Sequence, residues 1–161
     1  MTLQILLALF VLSDVWLYFS SRLMVHIRLV AFQGLVLGVL PLLVDDEAPG
    51  LRNVGLAALT ILIKAVVLPG LLARVVRRSG ALEEPSVRAR HVRASLAAVV
   101  LLGLSVWLAD RLPAPLPVSA DRILAAAFFT VLSGIFLCVS RTCIASQALG
   151  VIVLENGVVA A

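Results

Sequence analysis

Residues 56–76 read LAALTILIKAVVLPGLLARVV. Apart from Lys64, no charge interrupts the stretch before Arg74, and an apolar run of about 20 residues is what an α-helix needs to cross a ~30 Å hydrocarbon core. A bilayer core offers no water to satisfy backbone N–H and C=O groups, so such a run must be helical. Residues 54–73 are therefore read as a transmembrane helix.

Five more apolar segments lie on either side, at residues 3–19, 29–44, 94–109, 123–139 and 144–161. Together they predict an all-α, polytopic transmembrane bundle of about six helices. It forms a single membrane domain over residues 1–161, with an N-terminal three-helix part (1–93) and a later part (94–161). The composition agrees: 62% of residues are hydrophobic and 14% charged, against about 45–50% and about 25% in soluble domains. The mean hydropathy is +1.14. The first segment has neither a basic leader nor a small-x-small cleavage site, so it is read as a mature helix. No internal repeat is evident.

Arginines orient the bundle. Nine of them, Arg22, Arg28, Arg74, Arg77, Arg78, Arg88, Arg90, Arg93 and Arg141, fall in odd-numbered linkers, and three, Arg52, Arg111 and Arg122, in even-numbered ones. The positive-inside rule then makes the odd linkers cytoplasmic and puts the N-terminus outside, in a multi-pass protein of the inner (cytoplasmic) membrane. Asp45, Asp46, Glu47, Asp110 and Asp121 fall on the outer side. A net charge of +4 is explained by topology and by contact with anionic lipid, so no nucleic-acid partner is expected.

The informative residues are those that a membrane should exclude. Glu155 lies twelve residues beyond Cys143, about 18 Å along a helix and near the bilayer centre. A carboxylate there is expected to face the bundle interior and either protonate or find a partner. Membrane acids of this kind belong to proton or ion pathways; the plainer alternative is a neutral acid hydrogen-bonded between helices. Asn156 beside it is read as structural. Lys64, the chain's single lysine, is too far from either interface to snorkel. At similar depth the two charges could offset each other's desolvation, and the plainer reading of Lys64 is a bundle-stabilising salt bridge. Pro69 and Pro41 free carbonyls in their own helices.

Other polar residues carry less weight. Asp14, near Trp16 and Tyr18, is read as interfacial, and His26 as a loop residue. Gln33 and Gly34 are read as helix-packing residues, with Gly34 and Gly38 at small-xxx-small spacing. Cys138 and Cys143 lack the companions a metal site needs. No nucleotide loop, haem motif, cluster-binding cysteine set or hydrolytic triad is present, so no cofactor is expected in this chain.

Three stretches, IRLVAFQGLVLGVLPLL (27–43), ILIKAVVLPGLLARVVRR (61–78) and SRTCIASQALGVIVLENG (140–157), resemble the membrane subunit called hydrogenase-4 component E. From about residue 121 the chain is also similar to the K (4L) subunit of respiratory complex I and the C subunit of Mrp-type antiporters. The resemblance implies a place in the membrane arm of a group 4 nickel–iron hydrogenase or formate hydrogenlyase. There the subunit would adjoin antiporter-like membrane subunits, while hydrogenase-like partners in the soluble arm hold the metal centres. It implies Arg141 in a cytoplasmic turn, Gly150 facing the next subunit, and Glu155 as the buried proton-relay acid. The acid of the complex I subunit falls opposite Ile152, one helical turn away. Lys64 is assigned a relay or tuning role, with Asn156, Gln33, Gly34 and Pro69 supporting. The family continues past LENG into a further helix, so the chain reads as C-terminally truncated.

The expected function is that of a non-catalytic membrane subunit of an energy-converting oxidoreductase complex, contributing to proton translocation. Two alternatives are an assembly subunit that only packs the arm and a subunit of an Mrp-type cation/proton antiporter.

Overall fold

A computed structural model describes residues 2–20, 22–44, 50–79, 88–111, 118–141 and 143–161. Six helical stretches fill them. They are α1 (Thr2–Phe19), α2 (Leu23–Val44), α3 (Leu51–Ile61) running through a π-helical segment (Leu62–Val67) into α4 (Leu68–Ser79), α5 (Arg88–Arg111), α6 (Val118–Ser140) and α7 (Ile144–Ala160). Four are long and apolar enough to cross a membrane, over Leu23–Leu42, Arg52–Arg78, Ala94–Arg111 and Arg122–Ser140, and two shorter apolar helices cover Gln4–Phe19 and Ile144–Ala160. Among the described residues the architecture is all-helical, and its long apolar helices are those of a membrane protein by length and composition. Its outward faces are correspondingly apolar, with Leu56, Leu59, Leu62 and Val66 exposed along one stretch and Leu96, Val99 and Val100 along α5.

Several helices outrun the apolar segments that mark them. α2 begins at Leu23 rather than at residue 29, because Leu23 and Ile27, one turn apart, both enter the core. His26 is accordingly a buried helical residue and not a loop residue: its Nε2 lies 2.9 Å from the Ser20 carbonyl oxygen. α4 continues past residue 73 to Ser79, carrying Arg74, Arg77 and Arg78 around a fully buried Val76. Arg88, Arg90 and Arg93 likewise belong to the first turns of α5. The acids Asp45, Asp46 and Glu47 and the side chain of Asp121 lie outside the described residues, as do the side chains of those three α5 arginines.

Glycines set the two closest helix contacts. On the α6–α7 hairpin, a Cβ at Gly150 would sit 2.8 Å from the Cys138 backbone nitrogen, and one at Gly157 would sit 2.6 Å from that of Val131. Gly134 meets the Leu154 backbone in the same way. Small residues let backbones approach where lipid offers no hydrophobic drive for association. Gly150, expected to face the next subunit, is therefore packed against α6 of its own chain. The second contact joins α2 to the π-helical segment: a Cβ at Gly34 would fall 2.7 Å from the Lys64 carbonyl carbon, while Gly38 abuts Ile61. The small-xxx-small pair thus packs one helix onto the other.

Apolar layers bracket the bundle's middle. Leu17, Val30 and Val153 belong to one buried cluster, and Phe10 and Val36 to another, with Ala160 packed against it. Between these positions, one turn from each, α1 carries Asp14, α2 carries Gln33 and α7 carries Asn156, all fully buried. The site lies in this layer.

Candidate functional site

Lys64 stands in the π-helical segment that precedes Pro69. Proline has no N–H and its ring crowds the carbonyl four residues earlier. Widening the helix relieves this: the Leu68 N–H bonds to the Ile63 carbonyl, five residues back. Gly34 then fixes this wide turn against α2. Such turns are frequent at functional positions.

From there the lysine reaches α7 at two points. Its Nζ donates to Asn156 Oδ1 at 3.1 Å and lies 3.1 Å from Glu155 Oε1. Lys64 and Glu155, which the sequence could only place at similar depth, are thus an ion pair. Their settings differ sharply: the side-chain exposure is 10% for Lys64 and 52% for Glu155. Glu155 therefore does not face the bundle interior. α7 turns Gly150, Val153, Asn156 and Gly157 inward, and Glu155 falls with Val151 and Val158 on the exposed stripe. Lys64 comes outward to meet it.

The inward continuation is a line of hydrogen bonds through four helices. Asn156 Nδ2 donates to Gln33 Oε1 (3.4 Å), and Gln33 Nε2 donates to Asp14 Oδ1 (2.7 Å) and Ser13 Oγ (3.0 Å). Thr130 Oγ1, from α6, donates to Asp14 Oδ2 at 2.5 Å. Asp14, read as interfacial, is completely buried and points into the bundle. The helix phase decides this: Leu17 and Phe10 are both buried on the same side of α1 as Asp14, while Trp16 points outward. Asn156 and Gln33, read as structural and packing residues, connect Lys64 to Asp14.

Sequence reasoning missed Asp14, Ser13 and Thr130 as members of the site. A signal existed, since α1, α2, the Lys64 helix, α6 and α7 each carry a polar residue within an apolar stretch. Buried polar groups require partners, so matching them helix to helix points to one another.

Arg141 occupies the turn between α6 and α7 and is buried. One of its terminal nitrogens donates to the carbonyls of Leu17 (3.2 Å) and Ser20 (3.4 Å), at the end of α1. A cation there satisfies carbonyls that have no partner within the helix. Replacing Arg141 with methionine should lower stability by about 2 kcal/mol, the scale of hydrogen bonds to a charged group, as read from detergent-induced unfolding followed by helical circular dichroism.

Among the described residues, no group of three or more His, Cys, Asp and Glu side chains could hold a metal ion. Cys138 and Cys143 are free thiols.

Compared with known proteins, the chain is 33% identical over 153 residues to the uncharacterized protein Rv0085 of Mycobacterium tuberculosis, an alignment covering 93% of this chain and 69% of that protein. No family model matches the chain. No solved structure matches it either.

Proposed function

The chain belongs to the protein family of the mycobacterial Rv0085, and we propose, from the resemblance of its sequence to hydrogenase-4 component E, that it is an integral subunit of an energy-converting, hydrogenase-4 or formate hydrogenlyase-like redox complex that moves protons across the cytoplasmic membrane. In this reading all six helical stretches cross the bilayer, with the N-terminus outside. Antiporter-like membrane subunits lie against the exposed face of α7, and a hydrogenase-like soluble arm carries the redox chemistry.

The observation that carries the proposal is the Lys64–Glu155 ion pair between two largely apolar helical stretches. Intramembrane ionisable groups are costly, and they mark ion pathways and proton relays. The pair has the two properties that a lateral relay needs. Glu155 is accessible from the side of the bundle, so a neighbouring carrier can reach it. Lys64 is anchored from within by Asn156, so it keeps its place while the carboxylate changes state.

The step is then simple. A proton from a neighbouring carrier bonds to a Glu155 carboxylate oxygen and removes its negative charge, and the Lys64 ammonium keeps its bond to Asn156. Loss of that proton to the next carrier restores the carboxylate and the ion pair. Redox-driven rearrangement of the partners would set the direction.

The proposal is tested by purifying the tagged protein from its native host in mild detergent and identifying what accompanies it by mass spectrometry. Antiporter-like and hydrogenase-like subunits are the expected companions. Recovery of a stably expressed protein alone would refute membership of such a complex.

A further inference from the structure

The line of bonds inward from Lys64 runs in one direction only. The lysine ammonium donates to Asn156, the Asn156 amide to Gln33, and the Gln33 amide to Asp14. Every amide dipole between cation and carboxylate is therefore aligned, and hydrogen bonds in such a chain polarise one another in a low-dielectric interior. Thr130 closes the far end, its Oγ1 lying 2.5 Å from the second oxygen of Asp14 and 3.0 Å from the Ala126 carbonyl oxygen. With no exposure to the surface, Asp14 is out of reach of a carrier in a neighbouring subunit.

We propose that Asp14 is the internal counter-charge of Lys64, joined to it through the amides of Gln33 and Asn156, so that the lysine keeps an ionic partner whenever Glu155 carries a proton. This rests on the reading of Glu155 as the exchanging acid. With all three side chains ionised, the layer of Asp14, Lys64 and Glu155 holds one net negative charge. One proton on Glu155 makes it neutral, with Lys64 and Asp14 still balanced. Without Asp14, the same protonation would strand an ammonium in the membrane interior, at the cost of an unpaired buried charge. Asp14 is thus a positioning residue: it touches no transferred proton and acts through the amide line on the lysine that does pair with the exchanging acid.

Because Lys64 is the chain's single lysine, protein labelled with 15N-lysine and placed in lipid nanodiscs has one side-chain ammonium signal. Glu155→Gln is expected to displace that signal through the direct pair. Asp14→Asn is expected to displace it as well, across two intervening side chains, and to have no further effect once Gln33→Leu has cut the line. A signal that moves with Glu155→Gln but not with Asp14→Asn would overturn the counter-charge while leaving the ion pair standing. A signal that ignores Glu155→Gln would sink the reading of the pair instead. A response to Asp14→Asn that persists in Gln33→Leu protein would also overturn the proposal, because the effect would not pass through the amides. Should Asp14→Asn protein fail to fold, Gln33→Leu alone must displace the signal, since it severs the line and keeps both charges; no displacement refutes the proposal.

Discussion

Replacing Gln33 with leucine is expected to lower the stability of the folded bundle by about 3 kcal/mol, although leucine is close in size and far more at home in a membrane. The glutamine side chain donates to Asp14 and Ser13 and accepts from Asn156. Leucine would leave a buried carboxylate short of a donor and a buried amide short of an acceptor. Hydrogen bonds to charged groups contribute about 1.5–3 kcal/mol, and each newly unsatisfied buried group costs about 1–3 kcal/mol more. The gain in apolar surface offsets only part of this. Denaturation of the purified protein by titrated sodium dodecyl sulfate, followed by circular dichroism, measures the loss.

Leucine at Gly157 should be as damaging, for a steric reason. A Cβ there already falls 2.6 Å from the Val131 nitrogen and 3.0 Å from the Ala127 carbonyl oxygen. Backbone atoms cannot step aside as a side-chain tip can, so α7 must move off α6. Overpacking a close contact costs about 1–3 kcal/mol, and more where the backbone is displaced; about 3 kcal/mol is expected here. Because Asn156 and Glu155 precede Gly157 on the same helix, the Lys64 contacts should loosen with the hairpin. Gly103 on α5 is the control: a Cβ there meets nothing within 4 Å, so alanine should be neutral or stabilise the helix by up to about 1 kcal/mol. The same denaturation assay separates the two outcomes.

The sequence makes the helices visible more readily than their faces. Apolar length alone locates every helical stretch, because the bilayer leaves no alternative backbone structure. Their ends were obscured by charge. Leu23 and Ile27, and later Val76, continue the buried face past His26, Arg28 and Arg74, and a reading that stops at the first polar residue stops too soon. Glu155 and Lys64 were identifiable because nothing else in their helices carries charge at that depth. Orientation was the harder part. Gly150 and Gly157, seven apart, mark the packed face of α7, and Glu155 lies about 140° around the helix from Gly150 at 100° per residue. That geometry turns the acid outward, and it could have been read from the glycines. Asp14 was obscured by its aromatic neighbours, since Trp16 and Tyr18 suggest an interfacial belt and leave open which way the acid points. Only the packing shows that Tyr18 is buried against Phe136, with ring centroids 5.4 Å apart, so that this end of α1 lies inside the bundle.

The proposed relay stands or falls on Glu155. The most direct measurement is the number of protons translocated per redox turnover by the purified complex in sealed vesicles, compared between the wild type and Glu155→Gln. Glutamine preserves the shape and can still accept a hydrogen bond from Lys64, so the variant should assemble and the redox reaction should continue. Proton translocation should fall to a small fraction of the wild-type ratio. An unchanged ratio, with the variant subunit incorporated at wild-type levels, would contradict the relay and leave the chain a packing role in the membrane arm.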